Sequence, residues 1–326
     1  MSKVKSKSIK PNKKFVVADI ESLQEEFYRT YDPDYWLYRI SLLSNAHDNF
    51  GKIKKYLTED LAEVSDEDYK RMLRTEMHFL YFQMVEALFE IIFAIAHHDN
   101  RNLWVALTFS NDRDTAFYSN AYYEIESLSL GKMKLFLYRK IITEIAGKKV
   151  ETPLIRWLFY FIYPSKMTDE EWIKNLENIE KMLLTFAQDF SERGEYNAYK
   201  HSLRFYNTDF ALAISAIGMK QVKVNYTLGK SKDSIIFLEE HGRGNPNAQT
   251  NGRRRIARTI KPFDFERDTR CCLIIHSLIK NMIYTRKYSL LKSYHDKEFH
   301  FSTYLDVELP GMLLPKTGVT KSSFTV

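Results

Sequence analysis

The sequence predicts a mainly α-helical protein, a helical bundle with a small antiparallel sheet inserted before a late, long helix. Three observations carry this prediction. Apolar side chains recur with the period of a helix from about residue 19 to residue 218. Apolar and polar residues alternate singly over 222–227, which is the period of a strand. Only 11 glycines and 8 prolines occur in 326 residues, which disfavours a loop-dominated fold.

The helices of the bundle follow one another along most of the chain. An Asp-Pro-Asp break at 32–34 separates the first two helices, and a Thr168/Glu171 capping box starts a later one. The segment 100–130 fits strand or helix equally well. The predicted helices lie at 19–30, 34–57, 66–98, 131–146, 153–163 and 168–193, with a further helix from about residue 195 and the apolar run 209–218 continuing the bundle.

The sheet is predicted as a hairpin with a third strand beside it. The first strand covers 222–227, the turn is Gly229-Lys230-Ser231-Lys232-Asp233, and the return strand covers 235–240. A third strand follows near 256–260, and Asp264 caps a helix over 265–292. The predicted organisation is therefore a tail at 1–14, a bundle at 15–218, a hairpin-plus-helix unit at 219–300 and an irregular tail at 301–326.

Excess positive charge is concentrated in two short segments. Residues 1–14 hold six lysines and no acid, so the net charge of +6 resides there and 42 basic and 42 acidic residues remain. A second acid-free segment, 242–258, contains Arg243, Arg253, Arg254, Arg255 and Arg258. Such runs can neutralise phosphates. They are also typical of solvated termini and loops, and both interpretations stay open.

Targeting signals and cysteine content indicate a cytoplasmic protein without a membrane partner. The N-terminus lacks the apolar segment of a secretory signal. The stretch 77–96 has the length of a bilayer span but contains Glu86 and Glu90, which favours a buried helix of a soluble protein. The adjacent Cys271 and Cys272 cannot form a disulfide framework, which favours a reducing compartment.

A polar stripe on the apolar helix 66–98 is the first candidate site. Its carboxylates need cations, a metal ion or solvent as partners. One interpretation is a solvent-facing surface; the other is a functional site in which Glu90 is catalytic and the remaining side chains support it. The supporting residues, which lie within an arc of about 80° when each residue turns by about 100°, are Glu76, Gln83, Glu86 and His97.

A second candidate site lies on the helix that starts near Glu195. Asn197, His201 and Arg204 share one helical face, and Lys200 lies at its edge. An amide, an imidazole and two cations can bind a phosphate, and His201 can act as a general acid or base near neutral pH. The same residues can instead pair with the acidic stripe in a purely structural network.

The run Tyr196-Asn197-x-Tyr199-Lys200-His201-x-x-Arg204 resembles the Asn/Lys/His-bearing helix of several uncharacterised bacterial helical proteins. It is also distantly similar to HEPN-type helical domains. That resemblance implies a metal-independent ribonuclease or a nucleotide-binding module. HEPN nucleases carry Arg-x4–6-His, a spacing that occurs here at Arg71/His78 and at Arg270/His276, which is about as often as chance predicts for this composition.

Other catalytic and cofactor signatures are missing from the sequence. No Glu-x-x-His occurs, so a ferritin-like di-iron site is excluded. The phosphate-loop, dinucleotide-binding and hydrolase glycine patterns are incomplete or absent. The sequence thus requires no cofactor and leaves a metal undetermined.

Two functional hypotheses follow from these features. The first is binding of nucleic acid or a nucleotide, with processing left open, through Asn197, Lys200 and Arg204 together with Arg253, Arg254 and Arg255. The alternative is a non-enzymatic scaffold or homo-oligomer whose polar faces form an internal ion-pair network.

Overall fold

The computed structural model describes residues 20–56, 63–97, 103–109, 123–145, 148–160, 167–200, 205–217, 223–241, 255–294, 300–305 and 320–325. Within these ranges the protein is mainly α-helical with two small antiparallel sheets, as the sequence predicts. The basic tail 1–14 and the site residues His201, Arg204, Arg253 and Arg254 lie outside the described residues.

The helices come first in the chain and again after the large sheet. Three short non-α helical segments accompany them, at Lys54–Tyr56, Leu128–Lys132 and Lys292–Tyr294. The α-helices used below are α1 Ile20–Thr30, α2 Tyr35–Asp48, α3 Phe50–Ile53, α4 Asp66–His97, α5 Leu103–Phe109, α6 Met133–Leu137, α7 Leu154–Phe159, α8 Asp169–Ser191, α9 Gly194–Lys200 and α10 Phe265–Leu290.

Helix α4 is the central element of the core. It packs against α10 and α2, and side chains such as Leu88, Phe89, Ile279 and Met282 are fully or almost fully buried. Burial of this apolar surface is the main driving force for packing the three helices together. By length and composition α4 could span a bilayer, but 72% of its most apolar 18-residue stretch is buried inside the protein.

Two predicted helix starts are confirmed by their hydrogen bonds. The Thr168 hydroxyl accepts from the amide of Glu171, and the Glu171 carboxylate accepts from the amide of Thr168, which completes the capping box of α8. At the start of α10, the Asp264 carboxylate accepts from the amide of Arg267 at 3.0 Å.

Two antiparallel sheets complete the fold. The small sheet is a hairpin, whereas the large sheet has the order β3-β4-β5-β6 and places its last strand far along the sequence. The strands are β1 Lys140–Ile145, β2 Lys148–Pro153, β3 Phe205–Ile217, β4 Lys223–His241, β5 Arg255–Pro262 and β6 Thr320–Thr325.

The structure corrects the predicted helix over 131–146. Gly131 has φ +104°, a left-handed conformation that breaks the helix at this point. Only Met133–Leu137 is α-helical, and Lys140–Ile145 forms β1, paired with β2. The β-branched run Ile141-Ile142-Thr143 favours the strand once a partner is present.

The predicted hairpin and its neighbouring segments also need correction. The apolar run 209–217 is part of strand β3 rather than a helix, and β4 continues through the predicted turn at 229–233. Two irregularities in the β3–β4 register absorb the extra residues as bulges. Residues 320–325, predicted as irregular, form β6 alongside β5. Strand pairing decides each of these assignments, between neighbouring segments for β3 and β4 and between distant segments for β5 and β6.

Candidate functional site

The polar stripe of α4 faces a groove between α2 and α9, where its side chains find cationic partners. Arg39 of α2 donates from Nη1 to Oε1 of Gln83 at 2.8 Å. Lys200 of α9 lies 2.9 and 3.0 Å from the two carboxylate oxygens of Glu86, and the Tyr196 hydroxyl donates to the same carboxylate at 2.8 Å. The groove therefore contains a mixed ion-pair and hydrogen-bond network.

Electrostatics in this groove reflect half-burial beside charges of both signs. Burial raises the pKa of Glu76, and Arg39 opposes that shift. Burial raises the pKa of Tyr196, with Glu86 and then Glu90 adding to the shift, so Glu90 lies within electrostatic range of this hydroxyl. Among the residues that the structure describes, no group of three or more His, Cys, Asp or Glu could hold a metal ion.

The structure brings some predicted site residues together and leaves others untested. Glu86 and Lys200 meet directly, which joins the two candidate sites in one network. Asn197 is exposed on α9, one turn before Lys200. The side chain of His97 and all of His201 and Arg204 are outside the described part of the chain. A joint site of Glu90 with His201 therefore stays a prediction.

Sequence reasoning missed a second network, which is buried at the junction of α4, α9, β5 and α10. Nδ1 of His78 lies 2.7 Å from Oδ2 of Asp268, and Nε2 of His78 lies 3.6 Å from Oε1 of Glu195. The Lys261 ammonium lies 2.8 Å from the same oxygen of Glu195. The side chains of His78, Asp268 and Glu195 are almost completely buried, so water does not compete for these contacts.

The pKa of Glu195 shows that the network holds a buried negative charge. Burial alone would raise this pKa, but Lys261 and His78 outweigh burial and lower it to about 2. The Lys261 ammonium, 2.8 Å from Oε1 of Glu195, compensates this charge directly. Removing either partner would leave a buried charge without compensation.

The buried network continues towards α8. Arg267 of α10 contacts Oδ2 of Asp189 through Nη2 at 2.5 Å and Oδ1 of Asp268 through Nη1 at 3.5 Å. The Tyr81 hydroxyl donates to the same oxygen of Asp189 at 2.5 Å. The only sequence signal for these contacts was a histidine inside the apolar run of α4. Its partner Asp268 is 190 positions away, beyond the reach of local patterns.

The arginines and histidines of the two Arg-x4–6-His spacings have separate ion-pair partners. Arg71 pairs with Asp68, three residues earlier, whereas His78 belongs to the buried network. His276 is buried and lies 2.9 Å from Asp34, which confirms its interpretation as a core histidine. In each spacing, the histidine is engaged by a carboxylate from another element.

The outer face of the large sheet presents an exposed group made of Tyr206, Leu238 and Arg258, called here the sheet-surface group. Nη2 of Arg258 donates to the Tyr206 hydroxyl at 3.0 Å. Leu238 lies directly opposite Arg258 in the β4–β5 register, and Tyr206 lies opposite Ile236 in the β3–β4 register. Tyr206 is 54% and Leu238 49% exposed, whereas Ile236 between them is buried.

The topology brings the two arginine-bearing segments to one end of this sheet. Strands β3 and β5 are both antiparallel to β4, so both begin at the end of the sheet where β4 finishes. Arg204 immediately precedes β3 in the sequence, and Arg253 and Arg254 immediately precede β5. The two strands that follow these arginines in the sequence thus begin at the same end of the sheet.

Comparison with protein-family models, curated proteins and solved structures finds no match to this chain. The similarity to HEPN-type domains therefore stays a prediction, and the functional argument rests on the geometry alone.

Proposed function

We propose that this protein binds nucleic acid at the end of the large sheet where β3 and β5 begin. One observation carries the proposal: the predicted phosphate ligands Arg204 and Arg253–Arg254 immediately precede β3 and β5, two strands that begin at the same end of the sheet. The hydrogen bond from Arg258 to Tyr206 links these two strands. Clustered arginines beside an exposed aromatic ring form a surface suited to a polyanion that carries bases.

The charge balance of this sheet end is positive. Residues 239–258 contain five arginines and two glutamates, which gives a net charge of +3. Glu239 and Glu240 lie on β4 opposite Ala257 and Ile256, so they are the acidic residues nearest in register. Lys200 contributes to phosphate binding only if it leaves Glu86, which holds its ammonium in the structure. The arginines are therefore the principal phosphate ligands in this proposal.

Salt-dependent binding tests the proposal directly. Anisotropy of labelled RNA and DNA oligonucleotides is measured at low and rising salt for wild type, Arg258→Ala and the Arg253/Arg254/Arg255 triple-alanine variant. We expect the triple variant to bind at least about tenfold more weakly and to lower the salt slope by about 2, because each lost contact with a single strand's phosphate removes about 0.7 from it.

A matched variant controls for loss of charge alone. Lys174 is exposed on α8, so Lys174→Ala removes one positive charge outside the sheet. We expect it to bind like wild type while Arg258→Ala binds several-fold more weakly. Equal binding by wild type, Arg258→Ala, Arg204→Ala and the triple variant at low salt would refute the proposal.

Cleavage is a separate part of the proposal, drawn from the HEPN resemblance alone. An RNA-degradation assay with EDTA or magnesium compares wild type with His201→Ala. Cleavage that survives EDTA and disappears in the variant supports a metal-independent ribonuclease. Cleavage that needs magnesium points instead to the Glu76–Glu90 stripe. Absence of cleavage by both proteins limits the function to binding.

A scaffold is the second candidate, and the Glu86–Lys200 contact favours it. In that function the predicted phosphate ligand Lys200 is an internal partner, and the polar faces hold α4 and α9 together. Sedimentation velocity and nucleic-acid binding at low salt separate the two candidates. A defined oligomer with no affinity for RNA or DNA supports the scaffold.

A further inference from the structure

We infer that the ligand of the large sheet is single-stranded nucleic acid, because the sheet-surface group provides a stacking platform centred on Tyr206. The inference rests on the proposed function and names the class of nucleic acid that this surface recognises. It depends on three described features of the sheet: an exposed aromatic ring, a hydrogen bond that fixes this ring, and an apolar neighbour on the same face.

The Tyr206 ring is held in place at its hydroxyl end. Arg258 lies on β5, which is separated from β3 by β4, so the two backbones are about 10 Å apart and the two side chains meet over β4. Ile236, which lies opposite Tyr206 on β4, is 5% exposed, while Tyr206 itself is 54% exposed. A ring that is oriented before binding loses less conformational freedom when a base stacks on it.

The rest of the sheet-surface group suits an unpaired base. Leu238 extends the apolar surface beside the ring and is 49% exposed. Arg258 donates from Nη2 to the Tyr206 hydroxyl, and a guanidinium carries five N–H donors, a set that suits a phosphate or a base edge. An aromatic ring, an aliphatic side chain and a guanidinium on one face of a sheet form a surface on which splayed bases stack.

Duplex nucleic acid would use this surface differently. Its bases are already stacked inside the helix, so only phosphates and groove edges reach a flat protein surface. The arginines would contact a duplex, but the Tyr206 ring would add nothing. Dependence on Tyr206 for single strands alone is therefore the signature of stacking.

The test measures three probes against three proteins. The probes are a labelled single-stranded RNA of about 12 nucleotides, the same sequence as duplex RNA, and polyglutamate; the proteins are wild type, Tyr206→Phe and Tyr206→Ala. We expect Tyr206→Ala to weaken single-strand binding about tenfold or more, the scale of one lost base–aromatic stack. Tyr206→Phe should stay within about threefold of wild type because it keeps the ring. Duplex binding should be equal in all three proteins.

The outcomes separate this inference from the proposed function. If Tyr206→Ala binds single strands like wild type while the Arg253/Arg254/Arg255 variant loses affinity, the inference is wrong and nucleic-acid binding stands. Equal loss for single strands and duplex also overturns stacking. If polyglutamate binds as tightly as RNA, the surface recognises acidic chains in general. If wild type binds no RNA at all, the inference and the proposed function both fail. Melting temperatures of the variants confirm that each one is folded.

Discussion

Strand β5 carries two cations in opposite environments, one in the buried network and one on the exposed face of the sheet. Lys261 belongs to the buried network and lies 2.8 Å from Glu195, whereas Arg258, three residues earlier, projects from the opposite face and contacts the exposed Tyr206. Successive residues of a strand face opposite sides, so an odd spacing separates the two. The comparison shows how one strand supplies both a stability element and a candidate binding surface.

The two cations differ in whether water could replace their contact with the partner side chain. The Lys261 side chain is only 12% exposed and its partner Glu195 is completely buried, so water cannot replace the contact. Arg258 and Tyr206 are both exposed, so water can hydrate either group. The interior network should therefore govern stability, and the sheet-surface group should govern binding.

The largest expected effect comes from Lys261→Met. This change leaves the Glu195 carboxylate buried beside His78 without its cation, and we expect the free energy of unfolding to fall by about 3–5 kcal/mol. Urea denaturation measures it. The double variant Lys261→Met/Glu195→Gln is the control, and it should recover part of the loss because the stranded charge is gone. A loss below about 0.5 kcal/mol for the single variant would contradict a buried ion pair.

The pH dependence of stability should reveal the contribution of Glu195 in the buried network. The folded pKa of Glu195 is lowered to about 2 from 4.5, so its stabilisation is present above about pH 4.5 and disappears as the pH falls towards 2. The lowered pKa corresponds to a loss on the order of 3 kcal/mol. Denaturation curves from about pH 6 down to about pH 3 should show a smaller decline for Glu195→Gln than for wild type. Parallel declines would contradict the assignment.

An acidic group elsewhere provides an internal reference for that experiment. Burial alone would raise the pKa of Asp34, but hydrogen bonds from Lys280 and His276 lower it, so Asp34 also loses its stabilising contribution in acid. Glu195→Gln should leave this second contribution intact. Asp34→Asn should remove it and keep the contribution of Glu195.

The Glu86–Lys200 pair lies between the two extremes, with the two side chains 22% and 40% exposed. We expect Glu86→Gln to lower the free energy of unfolding by about 1 kcal/mol, since it weakens the contacts with Lys200 and Tyr196 without stranding a fully buried charge. Thermal denaturation measures the change, with Glu25→Gln on α1, outside the groove, as a reference for an exposed carboxylate. A loss of several kcal/mol would move this pair into the same category as Lys261 and Glu195.

The smallest effect on stability is expected at the sheet-surface group. Arg258→Ala and Tyr206→Ala should each change the free energy of unfolding by no more than about 0.5 kcal/mol, because both side chains are exposed. The same variants should weaken binding of single-stranded RNA several-fold or more. A large loss of stability with unchanged binding would reverse the roles of the two faces of β5.

Local patterns predicted the elements whose signals lie within a few residues. The capping box of Thr168 and Glu171, the Asp264 cap and the long apolar helix α4 are all confirmed. The β3–β4 pairing was missed because the apolar run 209–217 fits a buried helix or a strand equally well, and only its partner decides between them. The turn predicted at 229–233 is wrong for the same reason, because β4 continues through these residues when it pairs with β3.

The candidate sites also divide into residues that local patterns identified and residues that they missed. The sequence identified the polar stripe of α4 and Lys200, and the structure showed that Glu86 and Lys200 are partners. The sequence offered no sign that Glu195 and Lys261 pair, because hydrogen bonding and charge pairing in the core depend on positions brought together by folding. Tyr206 was missed because an isolated tyrosine at the start of a strand carries no pattern.

By itself, the sequence determined that the chain is mainly helical, where its longest helices begin and which segments carry excess positive charge. These properties depend on composition, capping and periodicity, which act over a few residues. The tertiary structure alone decided that β5 places Lys261 inside and Arg258 outside, and that β3 and β5 begin at the same end of the sheet. Those features arise from strand pairing across long separations, where burial and charge compensation, rather than local preference, fix the partner.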